Sequence, residues 1–297
     1  MAKEQYYIDM MSKDWRDFVH PSRIEILEKR IEVSSSATDC DNLPRHPRAG
    51  ECFHDEESDR AIQVMFNGLK VLYGRYYGSW VNEIIRNLRG VHEPQEELVF
   101  HEILKHVPKG GTMLELGAYW GYYSMWFAQS VEDSKVILVE PHSNQLKVAE
   151  GNFELNGLNG EFVNGYVGEY PEKKKKIQEI RGGHLPSYTV PGLMCDHGLD
   201  HLTVLHADIQ GWETKMLEDS RSILEERKID WVFVSTHGKT HNMCKEILLD
   251  VGYREVAEHT IAESASADGL IVMQSPLLES IPEITISKVD GIVKAHG

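Results

Sequence analysis

Glu115, Glu140, Asp208 and His237 each stand at or just past the end of a short apolar run, where an alternating strand–helix chain gathers its ligand-holding groups. The sharpest pattern is Glu115-Leu116-Gly117-Ala118-Tyr119-Trp120-Gly121. Gly117 can take backbone angles closed to other residues and lets a ligand approach the main chain. Gly121 lets the start of the next helix pack near the strand. The spacing is not the dinucleotide G-x-G-x-x-G, because Tyr119 occupies the second glycine's place. A pyrophosphate needs bare backbone amides at a helix N-terminus. A ligand without phosphates tolerates Tyr119 and Trp120 and can use a carboxylate such as Glu115. Glu140 ends the run Val136–Val139 and is placed to accept hydrogen bonds from two ribose hydroxyls. An acid-x-Gly-x3-Gly turn followed by a strand ending in an acid points to S-adenosylmethionine.

Transfer of a methyl group from a sulfonium is an in-line displacement, so positioning supplies much of the rate. A hydroxyl acceptor must also lose its proton. Asp208 ends a central strand, His206 shares its face two positions earlier, and His237 ends the neighbouring strand. These three are expected to converge on the acceptor. Two chemistries are open: a general base at His237 or Asp208, or a divalent cation held by Asp208 and His237 that acidifies the hydroxyl. The bland reading of His206 is a buried ring bonded to a backbone carbonyl. The aromatic residues Tyr119, Trp120, Tyr122, Tyr123 and Trp126 suit either a sulfonium or ordinary packing. Cys40, Cys52, Cys195 and Cys244 are too few for a disulfide scaffold and lack the paired spacing of a zinc site. The run Lys173–Lys176 reads as a solvated helix start or loop.

The elements that must position these groups follow from periodicity. Strands are expected at 112–116, 135–139, 161–163, 201–207, 229–235 and 269–273, the last paired with 254–257. Helices fall between them: YYSMWFAQ, 143–155 with Ser143 as its cap, 213–226 and 242–251. The pattern predicts an α/β fold with a mostly parallel sheet covered by helices on both faces. Ahead of it, residues 1–35 read as helical in patches and 34–59 as a loop. A helix is expected over 59–74, with Ile62, Met65, Phe66, Leu69 and Leu72 on one side, then two more across 79–90 and 96–107.

The chain has 297 residues, 41% hydrophobic and 26% charged, enough for a substantial core. Its net charge of −16 is uneven: −3 over residues 1–95 and −13 over 96–297. Nucleic acid and anionic membranes are therefore poor partners for the second part. No apolar run approaches a bilayer span and no signal peptide is readable, so a cytoplasmic protein is expected.

With these residues in hand, the chain resembles the FkbM-type family of S-adenosylmethionine-dependent methyltransferases. The likeness covers roughly residues 90–275. It runs through Gly90-Val-His-Glu93-Pro, MLELGAYWGYYSMWFA, VILVEP, GNFELNGLNG, FVNGYVG, LTVLHADIQGWETKML and VFVSTHG. The resemblance implies a Rossmann-like class I fold over 91–297; residues 1–90 lie outside it, and their apolar stripes without an independent core pattern suggest a helical extension that caps the substrate side or forms a homodimer face. It implies S-adenosylmethionine as cofactor and O-methylation of a small natural-product or sugar-like acceptor. The cofactor contacts it implies are Glu93, Glu115, Gly117, Ala118, Tyr119, Gly121, Tyr123, Ser124, Glu140, Pro141, His142, Asn164, Gly165, Tyr166, Asp208 and Gln210, with Asp208, His237 and His206 catalytic. Three positions depart from the family: His206 replaces a lysine, and Gln210 and Ser235 replace glutamates. Losing those oxygen ligands disfavours the metal and favours the general base. The departures also keep two alternatives open, a non-catalytic nucleoside-binding protein and an N-methyltransferase. A nucleic-acid methyltransferase is disfavoured by the charge and by the lack of an [Asn/Asp]-Pro-Pro-aromatic strand end.

Overall fold

The structure, a computed structural model, describes residues 2–168 and 185–289. The lysine run Lys173–Lys176 lies outside the described residues. The sheet that organises the chain has seven strands: β4 (Thr112–Leu116), β5 (Lys135–Glu140), β6 (Glu161–Asn164), β9 (Leu202–Ala207), β10 (Ile229–Thr236), β11 (Arg254–His259) and β12 (Gly269–Gln274), while β7 (Tyr166–Val167) and β8 (Ser187–Tyr188) form a separate parallel pair. Their order is β6-β5-β4-β9-β10-β12-β11, all pairs parallel except those made by β12, which runs against its neighbours. Numbered within the sheet this is 3-2-1-4-5-7-6, the Rossmann-like class I methyltransferase arrangement that the resemblance implies. Parallel neighbours need long crossovers, and helices supply them: α5 (Tyr122–Ser130), α6 (Ser143–Leu155), α7 (Val190–Asp196), α8 (Glu213–Asp219), α9 (Arg221–Glu225) and α10 (Thr240–Asp250).

Successive side chains of a strand face opposite ways, so each strand feeds two cores. Met113, Val136, Leu138, Val204, Trp231 and Phe233 enter one buried cluster, while Leu114, Ile137, Val139, Leu205, Val232 and Val234 enter the other. Glu115, His206 and Ser235 share the parity of the first set, so three polar side chains lie buried beside its aromatic residues. Two boundaries differ from expectation. Residue 143 is the first helical position of α6, with His142 before it as a cap whose side chain turns to Glu140 and makes no capping bond. The expected helix over 213–226 is split at Ser220 into α8 and α9.

The first ninety residues are only partly helical. Helices α1 (Ala2–Met10), α2 (Ile24–Ser35) and α3 (Ser79–Asn87) are present. The expected helix over 59–74 is instead part of a three-stranded antiparallel sheet: β1 (Cys52–Asp55), β2 (Arg60–Val64) and β3 (Lys70–Leu72). Its punctuation decides against the helix. Asn67-Gly68 turns the chain between β2 and β3, with Gly68 at φ +88°. Asp55 Oδ2 accepts the Ser58 N–H at 3.1 Å to make the preceding turn. The apolar residues expected on the helix face, Ile62, Met65, Phe66, Leu69 and Leu72, are still buried.

This segment shares its core with the larger sheet. Leu27, Phe66 and Trp80 join Phe100 and Trp126 in one cluster, Phe66 and Trp126 edge to face at 5.0 Å. The Asn-rich end of α6 fastens the joint: Asn152 Oδ1 accepts the Leu72 N–H at 2.8 Å, and Asn156 Oδ1 the Lys70 N–H at 2.9 Å. Helix α4 (Pro94–Leu104) then leads into β4. No helix among the described residues is long and apolar enough to cross a membrane.

Candidate active site

Strands β4, β5, β9 and β10 end on one edge, and chain order reverses between β4 and β9, which opens a crevice there. The strand ends are drawn together by Gly117. At φ +76°, a Cβ on it would lie 1.8 Å from the Asp208 carbonyl oxygen. The Asp208 N–H donates to the Leu116 carbonyl at 2.9 Å. The amides of Gly117 and Ala118 both donate to the Val139 carbonyl, so they are not bare for an anion. Gly121 does as expected: a Cβ there would meet Leu138 at 2.9 Å and Ala149 at 3.1 Å, which would push α5 off the sheet.

The crevice deepens into a cavity of about 420 Å³, in the range of small-molecule sites. Of the expected site residues, Glu93, Glu115, Gly117, Ala118, Tyr119, Tyr123, Glu140, Pro141, His142, Gly165, Tyr166, His206, Asp208 and Gln210 line it. Gly121, Ser124, Asn164 and His237 do not. Ser124 gives its N–H to Glu115 Oε2 at 3.1 Å, and Asn164 gives its side-chain amide to the Glu140 carbonyl at 2.9 Å, so both shape the cavity from behind. Among the described residues that line it there is no lysine or arginine.

Glu140 is 3% exposed and accepts the Tyr119 N–H at 3.0 Å and the His142 N–H at 2.7 Å. An ionised carboxylate has about four acceptor sites, so two backbone bonds orient it while leaving capacity for a ligand's hydroxyls. Burial pushes the Glu115 carboxyl up to about 7, against the pull of His206 and the Ser124 bond.

Asp208 and His237 meet, Oδ1 to Nε2 at 3.3 Å. Two further carboxylates complete the group. Asp268 precedes β12, and because that strand is reversed its start lies on the edge where the others end, Gly269 opposite Thr236. Asp268 Oδ1 is 2.9 Å from His237 Nε2, and Glu213 Oε1 is 2.8 Å from His237 Nδ1. Burial works against a charge on His237, but its bonds to Asp268 and Glu213 and the nearby Asp208 outweigh it and raise the ring to about 11. In this arrangement both ring nitrogens face carboxylates, a hydrogen-bonded geometry and not that of a metal's ligands. Among the described residues no group of three or more His, Cys, Asp or Glu side chains is arranged to hold one. Burial and the Asp268 charge push Asp208 the other way from an ordinary carboxylate, up to about 8, despite His237 and a bond from Gln210.

His206 is held elsewhere. Its Nε2 lies 2.7 Å from Glu96 Oε1, whose other oxygen accepts the Ser235 hydroxyl at 3.2 Å. Its partner is thus a carboxylate and not a backbone carbonyl, and its Nδ1 is buried with no hydrogen-bond partner among the described residues. Glu93 accepts the Tyr123 hydroxyl at 3.0 Å and lies 3.1 Å from His92 Nε2. Burial opposes charge on His92 too, yet Glu93 and Glu97 raise it to about 10.

The sequence reading missed Tyr76, Tyr77, His92, Glu96, Trp212 and Asp268. Glu96 sits in the first turn of α4 after Pro94, where a carboxylate is an ordinary helix-start residue. Tyr76 and Tyr77 lie outside the span of resemblance. Only Asp268, beside a glycine that opens an apolar run, carried a local signal.

No family model matches the chain, and no curated protein matches it. Solved structures do. TrmK of M. capricolum, solved with S-adenosyl-homocysteine, is 13% identical with a TM-score of 0.39, over 61% of this chain and 71% of that one. Precorrin-6y C5,15-methyltransferase of Geobacter metallireducens is 14% identical with a TM-score of 0.40, over 60% and 88%. Trm5b of Pyrococcus abyssi is 13% identical with a TM-score of 0.41, over 72% and 54%.

Proposed function

We propose that the chain is an S-adenosylmethionine-dependent methyltransferase that methylates a hydroxyl of a small molecule. One observation carries the reading: Glu140, Glu115 and Asp208 end three adjacent parallel strands and face a single cavity at the point where chain order reverses. Glu140 suits the ribose hydroxyls, Gly165 and Tyr166 border the side where an adenine would lie, and Glu115 and Glu93 suit the ammonium of the amino-acid end. When bound, the cofactor supplies an electrophilic methyl group on a cationic sulfur. The chain's own residues do the rest. Asp208 takes the acceptor's proton. His237, charged and fixed by Glu213 and Asp268, steadies the Asp208 carboxylate, to which the Gln210 amide donates at 3.0 Å. The aromatic walls exclude water. The FkbM-type resemblance supports the hydroxyl and the small acceptor, and the carboxyl groups of the described lining, Glu93, Glu96, Glu115, Glu140 and Asp208, weigh against the phosphates of a nucleic acid.

Calorimetry with S-adenosylmethionine tests the reading, together with turnover on a panel of hydroxylated acceptors. Glu140→Ala is expected to weaken cofactor binding about 10- to 100-fold, the loss of a charge-assisted double hydrogen bond. Absence of binding to the unaltered chain would sink the proposal. Binding without turnover of any hydroxyl or amine would favour a non-catalytic nucleoside-binding protein.

Of the two roles expected for residues 1–90, capping the substrate side is the one supported, because Tyr76 and Tyr77 reach the cavity from that segment.

A further inference from the structure

We propose that Tyr76 and Tyr77 determine acceptor specificity, and that the acceptor they take is an uncharged planar ring bearing the hydroxyl. The inference rests on the methyl-transfer reading above and names the acceptor for the same site.

The two tyrosines extend the glycine turn into a stepped aromatic wall. Tyr76 stacks on Trp120 with centroids 4.3 Å apart and planes 16° from parallel, and Tyr77 stacks on Tyr119 at 5.0 Å and 14°. Tyr76 also meets Tyr119 edge to face at 5.3 Å. The charges that reach both hydroxyls include Asp208 and Asp268, so the wall borders the proton-accepting end of the cavity. Burial and those carboxylates raise both phenols, which stay neutral donors.

Tyr77 is also held at a cost. Its backbone lies in the left-handed region at φ +48°, a conformation that a tyrosine rarely adopts, and its side chain is one of the few large apolar ones left exposed, at 55%. The Trp80 indole N–H fixes it by donating to the Tyr77 carbonyl at 2.8 Å. Three of the seven non-glycine residues with positive φ among those described are Tyr77, Tyr119 and Gln210, all on this cavity. A strained, half-exposed ring kept flat against another ring presents a face to a ligand.

The lining then narrows the ligand. Among the described residues the lining carries five carboxyl groups, Glu93, Glu96, Glu115, Glu140 and Asp208, and no lysine or arginine, so a carboxylate or phosphate on the acceptor would meet mostly like charge. The chemistry agrees. A phenol titrates near about 10, within reach of a carboxyl raised as Asp208 is, whereas an alkyl hydroxyl is about as weak an acid as water. In the transfer, the acceptor oxygen gives its proton to Asp208 and gains the methyl, and the electron pair of the broken S–C bond stays on sulfur. Atoms and charge balance.

The test uses the full chain with S-adenosylmethionine and three probes: catechol, cyclohexane-1,2-diol and 3,4-dihydroxybenzoate, with release of S-adenosylhomocysteine as readout. Catechol is expected to exceed the diol in kcat/KM by about 100-fold and the benzoate by about tenfold or more. Tyr77→Ala should lower kcat/KM for catechol about tenfold, mainly through KM, with a smaller effect on the diol. Tyr77→Phe should recover most of that loss. Equal use of diol and catechol, or an equal loss for both in Tyr77→Ala, overturns the inference. A chain that binds the cofactor yet leaves catechol untouched sinks the ring acceptor alone. A chain that fails to bind the cofactor sinks the methyl-transfer reading itself.

Discussion

Asp208→Asn is expected to cut turnover about 100- to 10,000-fold, the range for losing a positioned general base. Asparagine keeps the shape and the contact with Gln210 but cannot take a proton. Cofactor affinity should therefore change by less than about tenfold, and calorimetry on the same variant checks that. The pH dependence supplies an independent reading. A base works when deprotonated, so with Asp208 raised to about 8, kcat/KM should climb as pH rises from neutrality and level off above that value. His237, raised to about 11, stays charged throughout and contributes no limb there. The rising limb should vanish in the asparagine variant. If Asp208→Asn kept more than a tenth of the turnover, the proton would have to leave by another route.

Gly117→Ala is expected to be the most damaging small substitution in the chain, costing about 2–5 kcal/mol in urea unfolding together with loss of cofactor binding. Two effects add: a left-handed backbone costs an L-residue about 1–2 kcal/mol, and overpacking a rigid site about 1–3 kcal/mol. The neighbour at 1.8 Å is the backbone carbonyl of Asp208, which cannot swing aside as a side chain would. Gly157 is the matched control. It has φ +62° with nothing within 4 Å of a Cβ, so Gly157→Ala should show the backbone cost alone, about 1–2 kcal/mol. Equal losses at the two positions would refute the close approach of β4 and β9 as the cause.

The large sheet was legible because its strands are continuous apolar runs separated by helical spacing, and each strand expected from Thr112 onward is present within a residue or so. The small sheet was not. Ile62, Met65, Phe66, Leu69 and Leu72 satisfy a helical period by coincidence, and the turn at Asn67-Gly68 was the stronger signal. At the cavity, residues on the strand ends could be read from position in the chain. Glu96 could not, because it arrives from a helix start, and Asp268, on a reversed strand, gave only the local sign of a glycine opening an apolar run; tertiary packing brings the two to His206 and His237. His206 shows the limit of parity arguments. It has the face expected of it, yet a carboxylate from another element holds it away from Asp208.

The joint between the small sheet and α6 has a consequence for how such a protein can change. Asn152 and Asn156 grip the main chain of β3 and not its side chains. The residues that follow β3, Tyr76 and Tyr77 among them, are thus free to vary in identity without loosening the fastening that delivers them. The group proposed to accept the proton and the proposed nucleoside seat belong to one stretch of chain, and the wall proposed to meet the other reactant belongs to a separate one. Drift in the second can retune what is accepted while the first, and the reaction it performs, is inherited unchanged.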